Sequence, residues 1–275
     1  MEPPIGVPAL FGYVIFMAGR GVLDNAALRE PVSMSNTMTR KMIVPSAKAK
    51  VLEIFKSIQG EGPYAGVQQI FVRFFECNMH CTWCDTPHSI GDTTRHYQEY
   101  DADELMDQII RLSEGCHSVS ITGGEPLLQK DFIKKIIPKI REQKLKIYLD
   151  TNGTLPEALA EIIDGVDTIA MDIKLPSSTK CQAYWKEHKD FLDIARRKEV
   201  FIKAVVSLDT SEEDIVQAVN LVKSVDRNIL FILQPNYFQM KEGSVEKCLE
   251  FFKICSRSLN DVRILPQVHK FMKVR

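Results

Sequence analysis

The sequence predicts an α/β fold of parallel strands with helices outside them, closed as a complete or partial barrel or left open as a doubly wound sheet. From about residue 50, short runs rich in β-branched and aromatic residues alternate with longer amphipathic runs. Strand, helix, strand repeated about six times is the pattern of parallel βαβ units. Most of the strand candidates are continuous apolar runs, as expected of strands covered on both faces.

Taken in order, VLEIFKSI (51–58) and QIFVRFFE (69–76) are the first two strand candidates, separated by the glycine-rich QGEGPYAG. DADELMDQIIRLSEG (101–115) has helical spacing, and Asp101 sits where an N-cap belongs, with acidic residues close behind it. SVSIT (118–122) is a strand and DFIKKIIPKIREQ (131–143) a helix; KIYLDT (146–151) and LPEALAEIID (155–164) repeat the pair. TIAMDI (168–173) is followed by a long amphipathic run, CQAYWKEHKDFLDIARRK (181–198). VFIKAVVS (200–207) precedes SEEDIVQAVNLVKSV (211–225), which Ser211 is placed to cap. ILFILQP (229–235), SVEKCLEFFKICSRS (244–258) and VRILPQ (262–267) complete the series.

The first 48 residues differ in character. IGVPALFGYVIFMAG is apolar over roughly 15 residues, short of the ~20 that span a bilayer, and Pro8 interrupts it. The start Met1-Glu2-Pro3-Pro4 lacks the basic region of a secretory signal. Residues 1–48 are therefore expected to be a disordered or mispredicted extension, with Met17, Met34, Met38 and Met42 as alternative starts, ahead of a single domain over 49–275.

A formal net charge of -1 gives no electrostatic reason to expect nucleic acid or an anionic membrane as partner. A hydrophobic fraction of 45% is that of a globular chain with a sizeable core. Of seven cysteines, Cys116, Cys181, Cys248 and Cys255 are scattered without motif spacing. Scattered thiols suit a reducing compartment, so the expected location is cytoplasmic.

In either parallel architecture ligands gather at the carboxyl ends of the strands. The unusual residues of this chain fall there: CNMHCTWCDT, TGGEP, DTNGT, DIKLP and QPN each follow a predicted strand. The first holds Cys77, Cys81 and Cys84. Three thiols are awkward for a disulfide, and a zinc site would need His80 or His88 as fourth ligand. Simple burial does not suit three thiols in a polar loop. A 4Fe-4S cluster held by three thiolates leaves one iron open to another molecule, and an open iron is where chemistry can be done.

On these residues the chain resembles the radical S-adenosylmethionine enzymes, which share the cysteine spacing and an aromatic residue, here Trp83, before the last cysteine. TGGEP (122–126) is similar to their second motif, in which Gly123, Gly124 and Glu125 meet the ammonium of S-adenosylmethionine. Glycines permit close backbone approach and a carboxylate balances an ammonium. A narrower resemblance rests on QGEGPYAG, CDT, TGGEPLLQ, TNGT, LQPN and LPQVHK, which together look like the 7-carboxy-7-deazaguanine synthases of queuosine and deazapurine biosynthesis. It runs from about residue 51 to the C-terminus.

That resemblance implies a radical SAM core, a partial TIM-type barrel of about six parallel strands with outer helices. It implies a 4Fe-4S cluster on Cys77, Cys81 and Cys84, with S-adenosylmethionine held by Trp83, Gly123, Gly124, Glu125, Asp172, Ile173, Lys174, Gln234, Pro235 and Asn236. Gln59, Gly60, Glu61, Arg73, Thr122, His269 and Arg275 would hold the substrate, 6-carboxy-5,6,7,8-tetrahydropterin. A guanidinium fork suits its carboxylate, and a side-chain amide and carboxylate suit the pterin edge. Thr86 would give its hydroxyl to Mg2+. The chain departs from the family in reading Asp172-Ile173-Lys174 for the usual Ser-Pro-Lys, and Asp150-Thr151-Asn152-Gly153 for Glu-Thr-Asn-Gly.

The implied reaction is a ring contraction: a 5'-deoxyadenosyl radical takes the C6 hydrogen, the pterin radical rearranges, ammonia leaves, and 7-carboxy-7-deazaguanine results. A flavodoxin- or ferredoxin-type reductant and a homodimer are implied with it. Two rivals are an activase that installs a glycyl radical on a partner protein and a non-catalytic zinc or iron-sulfur module. The first gives no reason for QGEG and CDT, and the second leaves TGGEP unexplained.

Overall fold

A computed structural model describes residues 48–91 and 97–274. The chain divides into Met1–Ile43 and Val44–Arg275, and all described residues belong to the second unit. The expectation of an extension over residues 1–48 thus lies, Lys48 apart, outside the described residues, as does Arg275.

The strands are β1 (Ala49–Ile58), β2 (Gln68–Phe74), β3 (Gln98–Tyr100), β4 (Ser118–Gly123), β5 (Lys146–Thr151), β6 (Thr168–Asp172), β7 (Glu199–Val206), β8 (Phe231–Pro235) and β9 (Val262–Ile264). They form one sheet in the order β3-β1-β2-β4-β5-β6-β7-β8-β9. From β2 to β9 every neighbouring pair is parallel, while β1 runs antiparallel to both β2 and β3. The parallel part therefore has seven strands rather than about six, because the short VRI segment joins its edge. With β3 and β9 at the two edges, the barrel is partial.

The helices are α1 (Ala102–Leu112), α2 (Lys130–Glu142), α3 (Pro156–Ile162), α4 (Pro176–Thr179), α5 (Trp185–Ala195), α6 (Glu212–Val225), α7 (Ser244–Cys255) and α8 (Val268–Met272). Asp101 caps α1 in a full capping box, accepting from the backbone of Asp103 and Glu104 while the Glu104 side chain returns to the Asp101 N–H. Ser211 caps α6 by accepting from Asp214 N. Helix α5 begins at Trp185, later than Cys181, because Lys180 in left-handed conformation ends α4 and breaks the chain's direction.

Alternation along each strand divides the interior. Ile147, Leu149, Ile169, Met171, Ile202, Ala204 and Leu233 join the large core shared with the helices. Their neighbours Tyr148, Ala170, Phe201 and Ile232 form a separate small cluster on the opposite face. One step further along the same inward face stand Asp150, Asp172, Lys203 and Gln234. An apolar layer thus closes the floor of the barrel, and a polar layer lies above it at the carboxyl ends of the strands. Among the described residues no helix is long and apolar enough to cross a membrane.

Candidate active site

Above that floor lies a cavity of about 310 Å³, lined from β1, β2, β4, β5, β6, β7 and β8 and from the loops that follow them. All five unusual strand ends of the sequence reach it, so the convergence expected from a parallel fold is present.

The cysteine loop is fastened to three strand ends. Leaving β2, the backbone turns at Glu76, whose φ is 81°, and Gly124 N and Glu125 N donate to Phe74 O and Glu76 O at 3.2 and 2.9 Å. Asn78 donates to Thr154 Oγ1 and accepts from Asn152 Nδ2, both at 2.8 Å. Thr82 N donates to Thr179 O at 3.1 Å, and Trp83 Nε1 to Ser178 Oγ at 2.9 Å. Gly123 and Gly124 have no room for a side chain: a Cβ would lie 2.3 Å from Phe74 O and 2.2 Å from Glu76 O respectively.

Cys77, Cys81 and Cys84 are free thiols, partly accessible and all on the cavity wall. Burial raises Cys77 and pushes Cys81 up to about 12, against the pull of the Lys174 charge. Among the described residues no group of three or more His, Cys, Asp or Glu closes on a point suited to one ion. Neither His80 nor His88, the fourth ligands a zinc site would need, lines the cavity. Three thiols on one wall, with glycine backbone beside them, fit a larger three-thiolate cluster.

Asp172 and Gln234 line the cavity, and each keeps one buried oxygen, Oδ1 and Oε1, without a hydrogen-bond partner. Two such acceptors suit a ligand that brings ammonium or hydroxyl donors. Lys174 bonds the other Asp172 oxygen at 2.8 Å and lies 5.1 Å over the Trp83 ring. Pro235 and Asn236 complete that wall.

Opposite stands the QGEG loop. Gln59 Oε1 accepts from Glu61 N, and Gln59 Nε2 donates to Gln69 Oε1. Glu61 takes Lys203 Nζ at 2.5 Å on one oxygen and Gln267 Nε2 at 2.7 Å on the other. Burial works against ionisation of Glu61, but the Lys203 charge and hydrogen bond prevail and hold it below the usual range. The His269 ring packs on Gly60, where a Cβ would lie 1.9 Å from Nδ1, and Val268 N donates to Gly60 O. Gln267 also donates to Asp85, as does Lys270 at 2.8 Å. Burial would raise Asp85, yet Lys270 and Gln267 together hold it at about 2. The chain's end is thereby strapped across both the QGEG and CDT loops.

Arg73 lines the cavity from an interior strand, with Nε on Glu53 at 2.7 Å. Thr122 donates to Asp150 Oδ2 at 3.1 Å, and Thr86 Oγ1 lies 3.9 Å from Cys84 Sγ. Among the described residues, two of those expected do not reach the cavity wall. Glu125 is fully buried, and its carboxylate accepts from Leu127 N, Thr151 Oγ1 and Asn152 N. Burial pushes it up to about 7 against these bonds. Its acid braces two strand ends, joining the end of β4 to that of β5. Ile173 packs into the helix-side core, with its N–H on Lys203 O.

Lys203, Asp85, Asn152 and Gln267 also line the cavity and were not among the expected contacts. The lysine did leave a signal, a single charge inside the apolar run VFIKAVV at an inward-facing position.

Comparison with known proteins agrees with this geometry. The description of the radical SAM superfamily matches residues 72–224. The 7-carboxy-7-deazaguanine synthase of Geobacter sulfurreducens is 39% identical over 243 residues, 82% of this chain and 97% of that protein. The enzyme of the same name from Archaeoglobus fulgidus is 34% identical over 83% of this chain and all of that one. Among solved structures, QueE from Escherichia coli shares the fold with a TM-score of 0.58 at 22% identity, over 81% of this chain and 95% of that one.

Proposed function

This chain belongs to the radical S-adenosylmethionine superfamily and, within it, to the 7-carboxy-7-deazaguanine synthases, and from that membership we infer that it is the lyase that contracts 6-carboxy-5,6,7,8-tetrahydropterin to 7-carboxy-7-deazaguanine with release of ammonia. The observation that carries this reading is the meeting of the three-cysteine loop and the QGEG loop on one cavity. The catalytic core is assigned to residues 49–275.

When bound, the cluster and S-adenosylmethionine supply the hydrogen-abstracting radical that starts the rearrangement. Cys77, Cys81 and Cys84 hold the cluster as thiolates, so metal loading must displace the protons that burial favours on Cys77 and Cys81. Gly123 and Gly124 let this strand end close on Phe74 and Glu76 beside the cysteines, and Asp172 Oδ1 and Gln234 Oε1 would accept the cofactor's donors. Trp83, Lys174, Pro235 and Asn236 wall it in, while Glu125 and Ile173 support those strand ends from behind.

Gln59, Gly60, Glu61, Thr122 and His269 take the pterin ring, and Arg73 its carboxylate. A base edge rich in N–H donors needs ionised acceptors, which Glu61 provides. Thr86 offers a hydroxyl to Mg2+ beside the substrate. The strap of Gln267, Val268 and His269 covers the substrate side and excludes water. A flavodoxin- or ferredoxin-type reductant, a homodimer and a cytoplasmic setting complete the reading, the last supported by the free thiols.

The test is anaerobic reconstitution with iron and sulfide, then incubation with S-adenosylmethionine, dithionite, Mg2+ and the pterin. We expect about four irons per chain and pterin-dependent release of ammonia, both lost in Cys81→Ala. Cofactor cleavage without ammonia release would favour the activase, and zinc in place of a cluster the non-catalytic module.

A further inference from the structure

Lys203 stands at the centre of the substrate side of the cavity, 4% exposed, on the parallel strand β7. Its Nζ lies 2.5 Å from Glu61 Oε2 and 3.0 Å from Asp150 Oδ1. Each carboxylate is fixed at its other oxygen too, Glu61 by Gln267 and Asp150 by Thr122. One ammonium therefore holds two carboxylates from different elements, the loop after β1 and the end of β5, in a single orientation.

Such a group is not explained by stability. Its inward neighbours Phe201 and Val205 are apolar, and an apolar residue between them would avoid the desolvation of a charge. What the lysine changes is the state of the carboxylates. Without it, two acids facing one small cavity repel each other, and burial favours a proton on Glu61. A protonated acid donates where the pterin edge also donates.

We propose that Lys203 is a positioning residue for substrate recognition, holding the Glu61 and Asp150 carboxylates and setting the spacing of their oxygens for the N–H donors of a 2-amino-4-oxopyrimidine. The inference rests on the functional reading above. Lys203 touches neither the reacting carbon nor the cofactor in this account, and acts through the two acids. The charged and titratable groups that face it are Glu61 from the β1–β2 loop, Asp150 and Tyr148 from β5, and Asp172 from β6. Lys174 pairs with Asp172, and Asp85 and His269 lie near Glu61.

The test is calorimetric titration of anaerobically reconstituted protein with 7-carboxy-7-deazaguanine, which carries the same donor edge and is not turned over. The wild type is expected to bind with an affinity that stays flat from about pH 6 to about pH 8.5. Lys203→Met is expected to lose about 30-fold or more at the acid end, the lower range for unpairing a buried charge. Part of that loss should return as pH rises and Glu61 ionises. Lys203→Arg, which keeps the charge, should stay within about fivefold of the wild type with a flat profile. In turnover, Lys203→Met should raise KM for the pterin far more than it lowers kcat.

Wild-type affinity in Lys203→Met with a flat profile would overturn the inference. So would equal losses at every pH in both variants, which would mark a packing role. Should Lys203→Met fail to fold, Lys203→Gln, a neutral polar residue of similar length, must show the same pH-dependent loss for the inference to stand. A wild type that binds no 7-carboxy-7-deazaguanine overturns the functional reading itself, and the inference with it.

Discussion

Gly124 shows how much of this site is decided by single residues. A methyl group there would stand 2.2 Å from Glu76 O and 2.8 Å from Cys77 Cβ, so Gly124→Ala must push the cysteine loop off its seat. The expected outcome is a folded protein whose iron content after reconstitution falls by about half or more, measured against the wild type. Glu125 makes a second prediction. All its carboxylate bonds are received from donors, and a glutamine in its place would turn an N–H toward one of them. Glu125→Gln should cost about 2 kcal/mol of stability in the cofactor-free protein, read by denaturant unfolding. The cysteines were legible in the sequence because their spacing has few other uses. Glu125 and Lys203 were harder, because a motif does not say whether its acid faces the cavity or the backbone behind it, and a lone charge in a strand does not name its partners.

At the scale of elements, legibility followed length. KIYLDT and TIAMDI read as buried strands because they are apolar, bounded and β-rich, and they became β5 and β6. β3, α4 and α8 span three to five residues, too few to show a period, and only tertiary contacts make them regular. α8 bears most on the proposed function, since the segment that leads into it bridges the QGEG and CDT loops. Gln267 alone bridges Glu61 and Asp85. Gln267→Ala should raise KM for the pterin about tenfold, the cost of a lost hydrogen bond to a charged group, while dithionite-driven cleavage of S-adenosylmethionine without pterin stays unchanged. Steady-state kinetics beside that uncoupled assay separate the two halves of the cavity. The cap of α1 offers a control far from the site: Asp101→Ala should cost about 1 kcal/mol in unfolding and nothing in KM.

The whole molecule places its charges with the same economy, and its pH response should show it. His188 is fully buried, with one ring nitrogen on Asn152 O at 3.0 Å, and burial lowers it from 6.5 to about 4. A base whose folded value is depressed gives stability that is present above pH 6.5 and lost as pH falls through about 4. Relative to His188→Gln, the wild type should therefore lose about 3 kcal/mol between pH 7 and pH 4, followed by urea unfolding at each pH. The parallel architecture itself was legible from the alternation of elements, and the choice of a partial barrel came from the family resemblance and not from the pattern. What no pattern could supply was the pairing of acids and bases across strands far apart in sequence. The central claim is that this cavity rebuilds a pterin. Its most direct test is mass spectrometry of the anaerobic reaction of the reconstituted protein with S-adenosylmethionine, dithionite, Mg2+ and 6-carboxytetrahydropterin. The account predicts 7-carboxy-7-deazaguanine, absent in Cys81→Ala; cleavage of S-adenosylmethionine with the pterin recovered unchanged would contradict it.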